Sequence, residues 1–120
     1  QFVINNAGNV GIGTATPQAK LDVNGDIKVK DWTLSVPDYV FDQAYELRNL
    51  NELRHYIDRH KHLPDVPSAQ TVHEEGVNLG EFCMSLLKKI EELSLYVLQQ
   101  HEIIQAQDDR LAKLEQSANL

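Results

Sequence analysis

Cysteine is nearly missing from this chain: Cys83 is the only one in 120 residues, which excludes an intrachain disulfide framework and leaves the redox compartment open. Basic residues are also scarce, 11 Lys and Arg against 18 Asp and Glu, for a formal net charge of -7. No lysine or arginine block forms a phosphate-tracking patch, so neither nucleic acid nor an anionic membrane is expected as a partner, and the acidity serves solubility. No run of about 18 apolar residues exists, which removes a transmembrane helix and membrane insertion. The amino end, Gln1-Phe2-Val3-Ile4-Asn5, lacks the charged-then-apolar build of a signal peptide. Catalytic groupings are missing too. Ser35, Ser68, Ser85, Ser94 and Ser117 have no glycine-flanked elbow around them. Gly11-Ile12-Gly13 lacks the third glycine of a dinucleotide fingerprint, and Pro17 sits where its helix would run. Glu74-Glu75 and Glu91-Glu92 are sequence neighbours that point in different directions on helices, so they read as solvated faces rather than paired carboxylates. No enzymatic activity and no cofactor are expected.

What the chain does have is a heptad pattern. Apolar residues recur every seven positions at Cys83, Ile90, Val97, Ile104 and Leu111, and a second set follows three later at Leu86, Leu93 and Leu114, with Gln100 and Gln107 between. These are the a and d positions of a seam sustained over five heptads, which argues for a parallel coiled coil rather than a helix packed on its own domain. At an a position, Cys83 has a packing role. Arg110 is then a g residue and Glu115 the following e residue, placed to pair between helices across the Leu111/Leu114 layer. An arginine and a glutamate bracketing two apolar seam residues resemble the trimerisation motif of short coiled coils, and a homotrimer is the expected state. A parallel dimer is the rival, since β-branched a residues with leucine at d favour two strands. Leu95, Tyr96, Leu98 and Ile103 are apolar yet lie off the seam; they either thicken an interface between chains or receive a folded-back segment, and the second is expected.

Residues 1–30 read as short strands punctuated by glycine and asparagine: Phe2-Val3-Ile4, a turn at Asn5-Asn6-Ala7-Gly8, then Asn9 to Gly13. Leu21-Asp22-Val23 and Asp26-Ile27-Lys28-Val29 alternate about Asn24-Gly25, a hairpin signal, although a tight corner between strands of different sheets fits equally. Residues 31–77 read as a compact helical insert. Trp32, Leu34, Val36, Tyr39, Val40, Phe41 and Tyr45 are expected to seed a small core. Leu50, Leu53 and Ile57 fall at helical spacing, with Asn49 or Asn51 as N-cap and Pro64 ending the run. Leu63 to Pro67 is expected to be extended. Ser68 can cap a short helix to Glu75 with Gly76 after it, and Asn78 with Glu81 resembles a capping box for the stalk, residues 78–120.

These residues carry a likeness. Gly8-Asn9-Val10-Gly11-Ile12-Gly13-Thr14, with Pro17 and Lys20-Leu21-Asp22-Val23-Asn24-Gly25-Asp26-Ile27, resembles the strand repeat of phage tail-fibre and bacterial surface-fibre proteins. Val36-Pro37-Asp38-Tyr39-Val40-Phe41, His62-Leu63-Pro64-Asp65-Val66-Pro67-Ser68-Ala69, and Leu86 to Leu93 look like the carboxy-terminal region of such proteins in the Bacteroidetes. The resemblance implies an elongated mixed α and β homotrimer: an intertwined β-fibre segment, a small helical insert and a long parallel trimeric coiled coil. It implies a setting on a virion, an injection apparatus or a cell surface, and the abrupt start in strand-like residues suggests a fragment of a longer fibre. Some fibre proteins end in a self-cleaving intramolecular chaperone with serine immediately before aspartate at the cut; no Ser-Asp dipeptide occurs here. Two further expectations concern ligands. Trp32, Tyr39 and Tyr45 suit stacking on a surface glycan in a receptor-binding tip. His60 and His62 would supply six nitrogens around a threefold axis, enough for an octahedral transition metal, whereas the plainer expectation is no metal, with both rings near the last carbonyls of a helix.

Overall fold

The computed structural model describes residues 1–30 and 37–119 and divides the chain into two units, 1–33 and 34–120. The chain is a mixture of helix and a small sheet. In the first unit β1 (Phe2–Ile4), β2 (Val10–Ile12) and β3 (Leu21–Val23) form a sheet in that order. β1 and β2 are antiparallel, with Phe2 opposite Ile12 and Ile4 opposite Val10. Asn5 makes the turn between them: its Oδ1 accepts from the amides of Ala7 and Asn9, both at 3.0 Å.

β2 and β3 are parallel, with Val10 opposite Leu21 and Ile12 opposite Val23. A parallel crossover ordinarily takes about a dozen residues or more; here the chain returns between Ile12 and Leu21 without a helix. Glycine permits this. A Cβ on Gly11 would stand 2.4 Å from the Thr14 carbonyl oxygen, and one on Gly13, at φ 74°, would stand 2.7 Å from that of Asn24. Pro17 is buried in the loop, and the Gln18 amide donates to Asp22 Oδ2 at 2.9 Å. Of the two arrangements open at Asn24-Gly25, a hairpin and a tight corner, the hairpin does not form. Asn24 instead closes the parallel ladder, its amide donating to the Ile12 carbonyl at 2.9 Å, and residues 26–29 make no strand. Among the described residues of this unit only Gly11 and Pro17 are buried, and Phe2 remains 65% exposed. Three three-residue strands without a core are not a self-sufficient sheet.

The second unit begins with a 3₁₀ turn, Pro37–Phe41, and continues through α1 (Leu50–His60), α2 (Ala69–Glu75) and α3 (Leu79–Ala118). Local signals set the helix starts. The Asn49, Ser68 and Asn78 side chains accept from the amides of Glu52, Thr71 and Glu81 at 2.8, 3.1 and 3.1 Å. Gly76, at φ 71°, ends α2. α1 ends earlier than Pro64 requires, because Lys61 takes a left-handed cap at φ 60° and donates to the Ile57 carbonyl. The segment after it is a turn rather than extended: Val66 donates to the Leu63 carbonyl at 3.3 Å, with Asp65 at φ 63°. Proline at the first corner and a positive φ at the second are what a type II turn demands.

The 3₁₀ turn packs on α3. Val40, 1% exposed, is its anchor, flanked by Pro37. Trp32, Leu34 and Val36 lie outside the described residues; of the rest of the expected aromatic core, Tyr45 is half-buried while Tyr39 and Phe41 are exposed. Among the described residues the cluster therefore centres on Val40 rather than on Tyr39, Phe41 or Tyr45.

Candidate assembly seam and the groove beside it

α3 runs for 40 residues, about 60 Å at 1.5 Å per residue. Its covering follows the heptad frame. Over residues 82–96 every b, c, f and g position is at least partly covered: Met84 and Glu91, Ser85 and Glu92, Lys88 and Leu95, and Phe82, Lys89 and Tyr96. The a and d positions Cys83, Leu86, Ile90 and Leu93 are exposed, and so is Ser94 at e. The chain's own insert thus closes the back of the helix and stops at the seam. From Val97 to Asn119 every residue is exposed, Gln100, Ile104, Gln107, Leu111 and Leu114 included. The exposed apolar seam residues from Leu86 onward lie between 41% and 59% exposure. Isolated helices in water are marginal without a partner for an apolar face, and this one has a continuous line of them. Arg110 and Glu115 are both exposed, and neither joins an ion pair among the described residues.

The off-seam apolar residues divide. Leu95 and Tyr96 receive the insert, the Tyr96 hydroxyl donating to the Arg48 carbonyl, whereas Leu98 and Ile103 stay exposed. Polar contacts fasten the insert. The Tyr45 hydroxyl donates to Glu92 Oε2 at 2.5 Å, and Lys89 Nζ reaches Glu92 Oε1 at 2.8 Å. Lys88 and Lys89 converge on Asp65 Oδ2 at 3.1 and 3.5 Å, and Lys88 lies 5.8 Å from the Tyr39 ring centroid. The charges titrate accordingly. Burial, then the bond to Glu92, pushes the Tyr45 phenol well up. The Lys88 hydrogen bond holds the Asp65 carboxyl below its usual range against some desolvation. Burial works against the Lys88 charge, but the bond to Asp65 and its field outweigh it and raise the ammonium.

Glu91 is the exception to the solvated face expected of the Glu91-Glu92 pair. It is 7% exposed, its Oε2 has no hydrogen-bond partner among the described residues, and desolvation together with the nearby Asp38 charge raises its carboxyl. Glu92, Lys88 and Lys89 are half-buried as well. Sequence periodicity missed this network because polar residues off a seam read as solvent-facing. The one signal pointing to it was the patch of Tyr39 and Tyr45 needing a surface to cover.

Between α1 and α3 lies an open groove of about 610 Å³, walled by Tyr45, Leu53 and Leu63 and floored by Leu86, Ile90 and Leu93. His60 and His62 lie elsewhere, at the end of α1. Their ring centroids are 5.9 Å apart, the Tyr56 ring lies tilted with its centroid 4.3 Å from that of His60, and the His62 Nδ1 lies 2.9 Å from the Leu63 carbonyl oxygen. Among the described residues no three His, Cys, Asp or Glu side chains converge in a metal-binding group. Among the same residues no helix is long and apolar enough to cross a membrane. Comparison with protein-family models, with curated proteins and with solved structures finds no match for this chain.

Proposed function

We propose that this chain is a non-enzymatic assembly module: a parallel homotrimer whose α3 helices form the register-setting end of a fibre or adhesin of the tail-fibre kind, displayed on a virion, an injection apparatus or a cell surface. The observation that carries this is the agreement between covering and heptad frame. The insert closes the b, c, f and g positions of α3 over residues 82–96 and leaves a and d open. A helix meant to finish inside its own domain would bury those positions first. Cys83, Leu86, Ile90, Leu93, Val97, Gln100, Ile104, Gln107, Leu111 and Leu114 then form ten layers between chains, and Arg110 of one helix pairs with Glu115 of the next. Helical contacts are local and form before slow non-local strand pairing, so α3 brings three β units into register. The β unit needs this help, because its own strands bury so little.

Removing residues 79–120 tests the proposal. The shortened chain should lose cooperative β structure by circular dichroism and sediment as monomer or aggregate. A trimer that still melts cooperatively with strand signal would make α3 dispensable. A receptor-binding tip for a surface glycan or protein is the second reading, favoured by the exposure of Tyr39 and Phe41 beside α3. It is compatible with assembly, since both rings would face outward from the seam.

A further inference from the structure

The groove beside α3 has fixed walls and an apolar floor among the described residues. Its walls are fixed by polar bonds, Tyr45 to Glu92, Tyr96 to the Arg48 carbonyl, and Asp65 to Lys88 and Lys89. Its floor is apolar. α1 carries Leu50, Leu53 and Ile57 on one face yet buries no residue, and no Cα of α1 comes within 8 Å of a Cα of α3. Directly packed helices have axes about 8–10 Å apart, which brings facing Cα atoms well inside that distance. α1 therefore does not pack directly on its own stalk, and residues 45, 46, 48 and 63–65 line the groove between the two helices.

The floor identifies the occupant. Leu86, Ile90 and Leu93 are seam residues, so whatever packs on them must match a heptad line, and this chain carries the matching line itself. The groove also lies on the g side of α3, where Lys89 and Tyr96 line it. In a parallel seam the g side of one helix faces the e side of the next, so the arriving surface holds Ser94 at e and Leu98 at the adjoining b. Both fit an apolar slot. Leu98 is 57% exposed with no place in the seam. The Ser94 hydroxyl already donates to the Ile90 carbonyl at 2.9 Å, so its burial orphans no polar group. Seven half-exposed apolar seam residues at roughly 100 Å² each present on the order of 700 Å² per chain, close to the ≈ 800 Å² per partner of a stable interface.

The geometry points to a clasp: α1 of each chain packs on the neighbouring chain's α3, holding Ser94 and Leu98 in the groove, so that each groove is completed by a second copy. This rests on the parallel assembly proposed above. Around a threefold axis the contact runs head to tail and closes on itself.

Engineered disulfides read the contact directly. In a Cys83→Ser background, Leu53→Cys with Leu98→Cys should, on oxidation, give an interchain ladder ending at three linked chains on a non-reducing gel, while each single variant gives at most a pair. If that pair disturbs assembly, Leu63→Cys with Ser94→Cys reads the same wall against the same strip. An assembled protein, by sedimentation, in which neither pair links chains would overturn the clasp and leave the trimer standing. The groove would then be open to a small apolar ligand or a foreign chain. Bonds formed only within one chain would equally overturn it, since α1 would be closing on its own helix. A parent chain that sediments as monomer would overturn both clasp and trimer.

Discussion

Replacing Leu93 by alanine separates a lone helix from a seam by magnitude alone. In the single chain Leu93 is 59% exposed. Were that its working environment, truncation would change stability by no more than about 0.5 kcal/mol, and the higher helix propensity of alanine would offset part of it. In a d layer the same side chain is enclosed by its symmetry mates, and removing a buried leucine costs about 2–5 kcal/mol per chain. Three copies share the layer, so the assembled form loses roughly 6–15 kcal/mol. Even the low end, about 2 kcal/mol per chain, is a factor of roughly 30 per chain in the equilibrium. The assay is thermal melting followed by the helical circular-dichroism signal at two protein concentrations tenfold apart, with Gln99→Ala, an exposed off-seam change, as the control. Leu93→Ala should melt much lower than the parent and with a stronger dependence on concentration. A Leu93→Ala melt that coincides with the Gln99→Ala melt would refute a buried seam at this position.

Other consequences follow from polar groups. Replacing both Gln100 and Gln107 by leucine should raise the melting temperature while loosening the preference for one register or oligomeric state, because an unpaired buried amide costs about 1–3 kcal/mol and penalises slipped registers; a lower melt would misplace the heptad frame. Glu91→Gln should stabilise the chain at pH 7. The folded state holds the Glu91 carboxyl above its ordinary range through burial and Asp38, so whatever stability the group confers is complete at low pH and lost as pH rises through the raised value; the advantage of glutamine should therefore shrink on acidification, and a pH-independent difference would contradict the electrostatic cause. Asp65→Asn works in the other direction. Lys88 depresses the Asp65 carboxyl, so its stabilisation is present at neutral pH and lost as pH falls through the folded value. Asparagine tolerates the same positive φ, and with the side chain 60% exposed the deficit at pH 7 should stay under about 1 kcal/mol and vanish in acid.

What could be read from sequence was what neighbouring residues decide. The caps at Ser68 and Asn78 and the full run of α3 are written in contiguous residues, and the structure has them where the pattern put them. Asn49 was one of two candidates for α1, and its amide contact with Glu52 selects it. The structure departs from these expectations mainly where distant residues meet. The Asn24-Gly25 signal is a local preference, and it lost to a parallel ladder that exists because Gly11 and Gly13 let the chain return tightly over itself. Pro64 predicts a helix stop and extended backbone, whereas the left-handed cap at Lys61 ends α1 and Pro64 makes a turn that presents Asp65 to Lys88 and Lys89. The burial of Glu91 and the bond from Tyr45 to Glu92 depend on where the 3₁₀ turn and the chain after it lie across α3, 47 residues apart in sequence for the Tyr45 bond, and no periodicity in α3 carries that information. The groove was invisible for the same reason: it exists only because α1 and α3 stand apart.

Sedimentation equilibrium of the intact chain across micromolar concentrations, in moderate salt, distinguishes a three-helix seam from every other state of the chain. A three-helix seam gives a single species at three times the 13.6 kDa chain mass, persisting on dilution through the micromolar range. A species at 13.6 kDa, or a stable one at twice that mass, would contradict a three-helix seam on α3.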